Sequence, residues 1–421
     1  MKLKVKDFSD IKGIVEAPPS KSYSHRAIII ASLSEGTSKI YNLLLSEDTK
    51  SSICVCKALG SEITQKNDYL EITGTSKIHN SFNEPIDLGN SGTTLRIITS
   101  IAGLSDNEVI LTGDASLKTR PMKTLIDGIK PLGVEIESTN YKAPLTIKPG
   151  YIGGKTTIDG SISSQFISSI LISAPLSQEG VEFNVSGDFI SKPYVDMTID
   201  LMEQFGVNVL KDLKNQSFKI TPQKYKSCDY IVEGDYSSAS YLLATVAILG
   251  GKIQIKNLFS SSKQGDKLIL KILEDMGCNI LINDDNVIIE SDGNLKGINV
   301  DLSSSPDLLI TVAILGAVSS GTTTITGVKH GRFKETDRIA VTASELKKLS
   351  CDVRELEDGL IINGGISGGI VSSHKDHRVA MAFSLLGLKE DVAVIDGECF
   401  DVSFPNFIET MAEIGVELEL F

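Results

Sequence analysis

The chain has 421 residues, of which 41% are hydrophobic, 23% charged and 6% aromatic, with no Trp. This length suits roughly two to three domains with sizeable cores, and the composition excludes a disordered chain. A net charge of −13 opposes binding to a nucleic-acid backbone, so any small anionic ligand has to meet a local cluster of Lys and Arg.

The chain opens with alternating apolar and charged residues from Met1 to Ile11, which predict a strand. This stretch lacks the apolar core of a signal peptide, and no apolar run reaches the ~18 residues of a membrane span. A soluble cytoplasmic protein is expected.

Beyond this strand the chain repeats itself at intervals of about 70 residues. A helical stretch stops at a Gly and passes into a short strand. The stops fall at Gly60, Gly133, Gly206, Gly277, Ser350 (in the Gly place) and Gly415. Gly suits a helix C-terminus because that position takes a left-handed backbone. Each stop is preceded by a small polar cluster that opens an apolar run. The clusters are Ser20-Lys21-Ser22, Asn90-Ser91-Gly92-Thr93, Ser163-Ser164-Gln165, Tyr236-Ser237-Ser238, Ser304-Ser305-Pro306-Asp307 and Lys375-Asp376-His377. Ser, Asn and Asp cap helix starts. The runs from Ala239 to Leu249 and from Leu308 to Val318 are apolar nearly all round, so they predict buried helices. Six α/β units suit two domains of three, with six helix starts converging on one place. Each start offers free N–H groups and about half a positive charge to an anion, although any one cap alone is also just an ordinary helix start.

Basic residues lie beside these caps: Lys21, Arg26, Arg96, Arg120, Lys334, Arg338 and Arg378. Arg suits two-point capture of carboxylate or phosphate, and Lys a point-charge contact. Asp307 stands at a buried helix start, and Glu335 between Lys334 and Arg338. A carboxylate among cations stays ionised and is able to accept a proton and hand it back, or else forms a structural ion pair. The six Cys residues are scattered and predict buried free thiols in a reducing compartment. The sequence contains no phosphate-binding Gly-rich loop, dinucleotide fingerprint, zinc-protease helix or nucleophile elbow. His374 and His377 have no Cys or acid at ligand spacing. No metal and no nucleotide cofactor are expected.

Taken together, several segments resemble one family. Pro19-Ser20-Lys21-Ser22-Tyr23-Ser24-His25-Arg26-Ala27, Leu88-Gly89-Asn90-Ser91-Gly92-Thr93-Thr94-Leu95-Arg96 and the stretch from Arg332 to Arg338 are similar to signatures of the 5-enolpyruvylshikimate-3-phosphate synthases. Gly160 to Gln165, Ser191-Lys192-Pro193-Tyr194 and Asp376-His377-Arg378 match as well, and the resemblance covers essentially the whole chain. It implies an α/β fold of two inverse barrel-like domains, each of three βαβαββ-type units, with the active site in the interdomain cleft. The lower domain is discontinuous, 1–16 with 233–421, and the upper spans 17–232.

The implied activity is transfer of the enolpyruvyl group of phosphoenolpyruvate to the 5-hydroxyl of shikimate-3-phosphate, by a monomer without cofactor, nucleic-acid partner or membrane. By matching position, shikimate-3-phosphate falls to Lys21, Ser22, Arg26, Ser163, Ser164, Gln165, Ser191, Tyr194, Asp307 and Lys334. Phosphoenolpyruvate falls to Lys21, Asn90, Gly92, Thr93, Arg120, Gln165, Arg338, His377 and Arg378. Asp307 is the implied base for the 5-hydroxyl, and Glu335 and Lys21 serve proton traffic at the methylene carbon. Gly92 implies room in the pocket for the inhibitor glyphosate.

Two positions depart from the family pattern. Val402 stands where a Lys often contacts phosphoenolpyruvate. His330 replaces an Asn that contacts the shikimate phosphate in some members, which would make that contact pH-dependent.

Three rivals share parts of this pattern. Transferases acting on UDP-N-acetylglucosamine usually carry a Cys in the loop corresponding to Gly113–Met122, where this chain has none. RNA 3′-phosphate cyclases act on a polyanion that a chain of −13 repels. A phosphosugar-binding protein without activity would not need Asp307, Glu335 and Lys21 together.

Overall fold

The computed structural model describes residues 1–421 apart from Ser76, Phe82, Asn83 and Leu213. The chain divides into two compact units, one of Met1–Ser20 with Glu233–Phe421 and the other of Lys21–Val232. Each has its own apolar core.

Among the described residues there are six four-stranded sheets and one two-stranded pair. All six larger sheets follow one pattern: an edge strand pairs parallel with its neighbour, and the next two strands add antiparallel. In the second unit the parallel pairs are Tyr230–Ile231 with Thr37–Tyr41, Ile86–Asp87 with Val109–Thr112, and Gly154–Asp159 with Val181–Ser186. In the first they are Lys12–Glu16 with Gly251–Lys256, Asn299–Asp301 with Thr322–Thr326, and Gly369–Ser372 with Val392–Ile395. The opening strand, Lys2–Phe8, lies inside a sheet between Val392–Ile395 and Val416–Leu420. The two ends of the chain thus close the same sheet, which makes the first unit discontinuous.

The strands bury alternate side chains, as a sheet with one covered face requires. In Lys142–Ile147 the buried positions are Ala143, Leu145 and Ile147. The inner helices are covered on nearly every side. Every residue of Leu309–Val318 but the last is buried, and so is every residue of Tyr236–Leu249 but the last. Fully burying each Leu, Ile or Val side chain is worth about 1.5–3 kcal/mol before chain entropy is charged against it. Gly316 lets the first of these helices sit tightly on its sheet, since a Cβ there would fall 2.8 Å from Thr323 Cβ.

All six predicted helix stops have positive φ: Gly60 at 105°, Gly133 at 98°, Gly206 at 82°, Gly277 at 114°, Ser350 at 60° and Gly415 at 96°. Ser350 accepts a conformation that Gly occupies at lower cost.

The helix starts need two corrections. The fourth is capped by Asp235, whose Oδ1 accepts from the Ser238 N–H at 2.8 Å, rather than by the serines that follow. The fifth begins as a 3₁₀ turn, Pro306–Leu308, without a side-chain cap, because Pro306 occupies the opening position. Ser91, Ser163 and Asp376 cap theirs as expected. All six Cys are free thiols; Cys56, Cys278 and Cys351 are buried as expected, Cys228 and Cys399 are only half-buried, and Cys54 is exposed. It lies on the solvent side of the outer helix Glu47–Ala58. No helix among the described residues is long and apolar enough to cross a membrane.

Candidate active site

In the second unit, three inner helices bring their N-terminal turns into one hydrogen-bonded system. Lys21 opens the helix Lys21–Ser32, and its Nζ lies 2.9 Å from Asp48 Oδ2. Asp48 in turn faces His25 Nε2 at 3.6 Å. His25 Nδ1 meets Ser52 Oγ at 2.8 Å, Ser52 meets Thr94 Oγ1 at 2.7 Å, and Thr94 meets Ser91 Oγ at 2.7 Å. The first helix start is thereby tied to the second, Gly92–Ala102. Gln165, on the third, donates to Thr93 Oγ1 at 2.9 Å and accepts from Arg96 Nη1 at 2.8 Å.

The electrostatics follow from burial. Burial alone would raise the Asp48 pKa, but Lys21, His25 and Ser91 outweigh it and hold the carboxylate well below its usual range. Burial pushes His25 down. Arg26 is 1% exposed and donates to Thr198, Ser22, Ser168 and Tyr194; burial lowers it to about 10, so it remains charged at neutral pH. Arg26 thus fixes the Ser191–Tyr194 turn, where Ser191 sits at φ 52°. Arg120, 7% exposed, donates to Asn90 Oδ1 at 2.7 Å.

The first unit gathers the acids. Asp307 lies 2.8 Å from Arg338 Nη1, 3.1 Å from Arg378 Nη2 and 3.3 Å from Lys334 Nζ. Arg338 is 2% exposed and also binds Glu335 at 2.7 Å and Asp376 at 2.8 and 3.2 Å. Burial would lower Arg338, but Asp376, Glu335 and Asp307 override it and hold the guanidinium firmly charged. Asp376 is pushed up by burial and pulled further down by Arg338. Its folded pKa lies below the ordinary 3.8, so its stabilising effect is present above that pH and is lost as acid takes the pH through the lowered value. Lys334 is lowered by burial and by Arg338 and Arg378, against the pull of Asp307 and Glu335.

This arrangement matches one family along nearly the whole chain. The sequence profile of EPSP synthase (3-phosphoshikimate 1-carboxyvinyltransferase) covers residues 5–411. The chain belongs to this family. It is 64% identical to the 3-phosphoshikimate 1-carboxyvinyltransferase of Methanobrevibacter smithii, with both chains covered in full. It is 53% identical, again over both full lengths, to the one from Methanothermobacter thermautotrophicus. An EPSP synthase structure from Acinetobacter baumannii matches with a TM-score of 0.81 at 27% identity, covering 99% of each chain.

Within this EPSP synthase frame the expected residues fall into two sets. Lys21, Ser22, Arg26, Asn90, Gly92, Thr93, Arg120, Ser163, Ser164, Gln165, Ser191 and Tyr194 belong to the second unit, and Asp307, Lys334, Glu335, Arg338, His377 and Arg378 to the first. The sequence reading did not single out Asp48, the counter-ion of Lys21. An acid in the first turn of Glu47–Ala58 reads as a helix-dipole partner, and only packing brings it to Lys21.

Burial and Lys334 push His330 down to about 4 against the pull of Asp307, so the ring is neutral at pH 7. Val402 ends a 3₁₀ turn, Gly397–Val402, and supplies no cation.

Gly92 makes a direct prediction. A Cβ at this position would lie 2.2 Å from Arg120 Nη1, so Gly92→Ala has to displace the guanidinium from Asn90. If Arg120 holds phosphoenolpyruvate, as proposed below, shifting its guanidinium predicts a rise of about tenfold in the phosphoenolpyruvate KM. The glyphosate inhibition constant is expected to rise with it. Unchanged values for both would remove Gly92 from the site.

Proposed function

We propose the following roles for these side chains. The enzyme transfers the enolpyruvyl group of phosphoenolpyruvate to the 5-hydroxyl of shikimate-3-phosphate and releases phosphate. The observation that carries the assignment of roles is the Asp307 cluster: one carboxylate at an inner-helix start, faced by Arg338, Arg378 and Lys334.

Phosphoenolpyruvate gains a proton at carbon 3, and positive character develops at carbon 2. The 5-hydroxyl attacks carbon 2 while Asp307 takes its proton. A tetrahedral adduct forms, carbon 3 returns its proton, and the carbon–phosphate oxygen bond breaks. Glu335 and Lys21 serve the two proton steps at carbon 3. Glu335 is 20% exposed and lies beside Arg338, and Lys21 is 15% exposed and lies beside Asp48. Arg120, Arg378 and Lys21 hold the anionic groups of phosphoenolpyruvate. Ser163, Ser164, Gln165, Ser191, Tyr194 and Lys334 hold shikimate-3-phosphate. Fixed donors aimed at developing charge accelerate such a step without reorganising, and holding two substrates in register removes much of the entropic barrier. We place the enzyme in the cytoplasm as a monomer.

Phosphate release from phosphoenolpyruvate, measured with and without shikimate-3-phosphate, tests this assignment. Release should depend on shikimate-3-phosphate and drop by about 10²-fold or more in Lys21→Met and Glu335→Ala. If both ligands bind and no phosphate appears, the chain is a binding protein. Retention on heparin at moderate salt would favour an RNA-directed activity instead.

A further inference from the structure

The turn that leads into the helix His377–Ser384 has an unusual backbone. His374 and Lys375 both take the left-handed conformation, at φ 52° and 61°, in a stretch without Gly. Two consecutive non-Gly residues rarely do so, and such a turn persists only where its surroundings over-determine it. Several local bonds hold it. The Ser373 N–H donates to the Ile395 carbonyl at 3.0 Å, and the Asp376 N–H donates back to the Ser373 carbonyl at 2.9 Å. Ser373 Oγ donates to the Asp396 carbonyl at 2.9 Å.

A further hold comes from a different helix. Glu345, in Arg338–Lys348, is 1% exposed, and its Oε1 lies 2.7 Å from His374 Nε2. Its Oε2 accepts from the Ser372 N–H at 3.0 Å, and Lys348 Nζ lies 2.8 Å from both oxygens. Burial would raise the Glu345 carboxyl, but His374, Lys348 and the Ser372 N–H outweigh it and keep the group below its ordinary value. A carboxylate only accepts, so His374 Nε2 is the donor. An exposed pair of this kind would contribute little. Here one partner is enclosed by protein and bonded to the turn at two residues, Ser372 and His374. Glu345 stands about two helical turns beyond Arg338, whose guanidinium holds both oxygens of Asp376 at 2.8 and 3.2 Å. The helix thus grips the turn at both ends.

We propose that Glu345 and His374 are positioning residues for the reaction: their bond latches the left-handed turn and so sets where the helix start at Asp376 holds Arg378. The role rests on the reaction assigned above. The path is short and bonded throughout. Asp376 follows His374 by two residues, and its Oδ1 accepts from the Arg378 N–H at 3.0 Å. Arg378 Nη2 reaches Asp307 at 3.1 Å. Without the latch, the turn relaxes toward the backbone conformations that His and Lys prefer, and the Arg378 guanidinium moves with the helix start. A displaced guanidinium holds an anionic group less well, because two-point capture depends on alignment.

The test compares the full chain with His374→Ala, His374→Gln and Lys348→Ala, by amide hydrogen exchange and steady-state kinetics. His374 is 40% exposed, so truncating it leaves the core intact. Gln offers a donor near the place of Nε2. Lys348→Ala removes an ion pair of the same carboxylate and no bond to the turn. In His374→Ala the amides from 373 to 378 should exchange about fivefold faster or more, while global stability changes little. The phosphoenolpyruvate KM should rise about tenfold, with kcat within about threefold of the unsubstituted value. His374→Gln should recover most of both effects, and Lys348→Ala should show neither. Unchanged exchange in His374→Ala would overturn the latch. Faster exchange with unchanged KM and kcat would overturn the positioning role, as would equal effects in His374→Ala and Lys348→Ala. Faster exchange, rescued by Gln, in a protein that transfers no enolpyruvyl group would support the latch and overturn the reaction instead.

Discussion

Asp307→Asn is expected to lower kcat by about 10²–10⁴, the range for loss of a placed general base, while shikimate-3-phosphate still binds. Asn keeps the shape and an acceptor oxygen but cannot take the 5-hydroxyl proton. Its position makes the expectation specific. One carboxylate faces Arg338, Arg378 and Lys334 within 3.3 Å, and its side chain is 13% exposed. Three cations favour its charged form, and their withdrawal toward substrate anions would leave it freer to accept a proton. Steady-state kinetics together with calorimetric binding of shikimate-3-phosphate decide the matter. A variant with unchanged kcat would show that the base lies elsewhere. A variant that loses binding and keeps kcat would show that Asp307 only organises its neighbours.

Arg338→Met should cost about 3–5 kcal/mol of stability, because it leaves buried carboxylates without their counter-charge. Asp376 is fully buried, and Arg338 reaches it through both Nε and Nη2. Asp307 and Glu335 take the remaining contacts of the same guanidinium. Met fills the volume of the stem and supplies no donor. Arg338→Lys keeps the charge but has no planar fork to span three acids, so an intermediate loss is expected. Urea unfolding followed by circular dichroism measures both. A Met variant as stable as the unsubstituted protein would mean that Asp376 finds another partner or takes up a proton.

Arg338 also shows where a ligand role and a structural role compete. The resemblance gives it to phosphoenolpyruvate, yet among the described residues its hydrogen bonds all go to carboxylates.

Much of the architecture was legible in the chain because the repeats are written in local chemistry. A left-handed helix stop wants Gly, and five of the six stops carry one. The sixth, Ser350, was readable only through its register with the others. Buried helices announce themselves by unbroken apolar runs, as in Leu309–Val318. Cap identity was read less well. Ser237 and Ser238 look like caps, but Asp235 has the shorter reach to the Ser238 N–H, and Ser237 turns instead to Asp266.

What the sequence determined by itself was the periodic α/β pattern, the family motifs and the placing of cations at helix starts, because each depends on residues close together along the chain. Which acid meets which cation was decided only in three dimensions. Asp48 joins Lys21, and Asp376 joins Arg338. A carboxylate's partner and proton affinity depend on burial and on charges a few ångströms away, and residues far apart in sequence supply both.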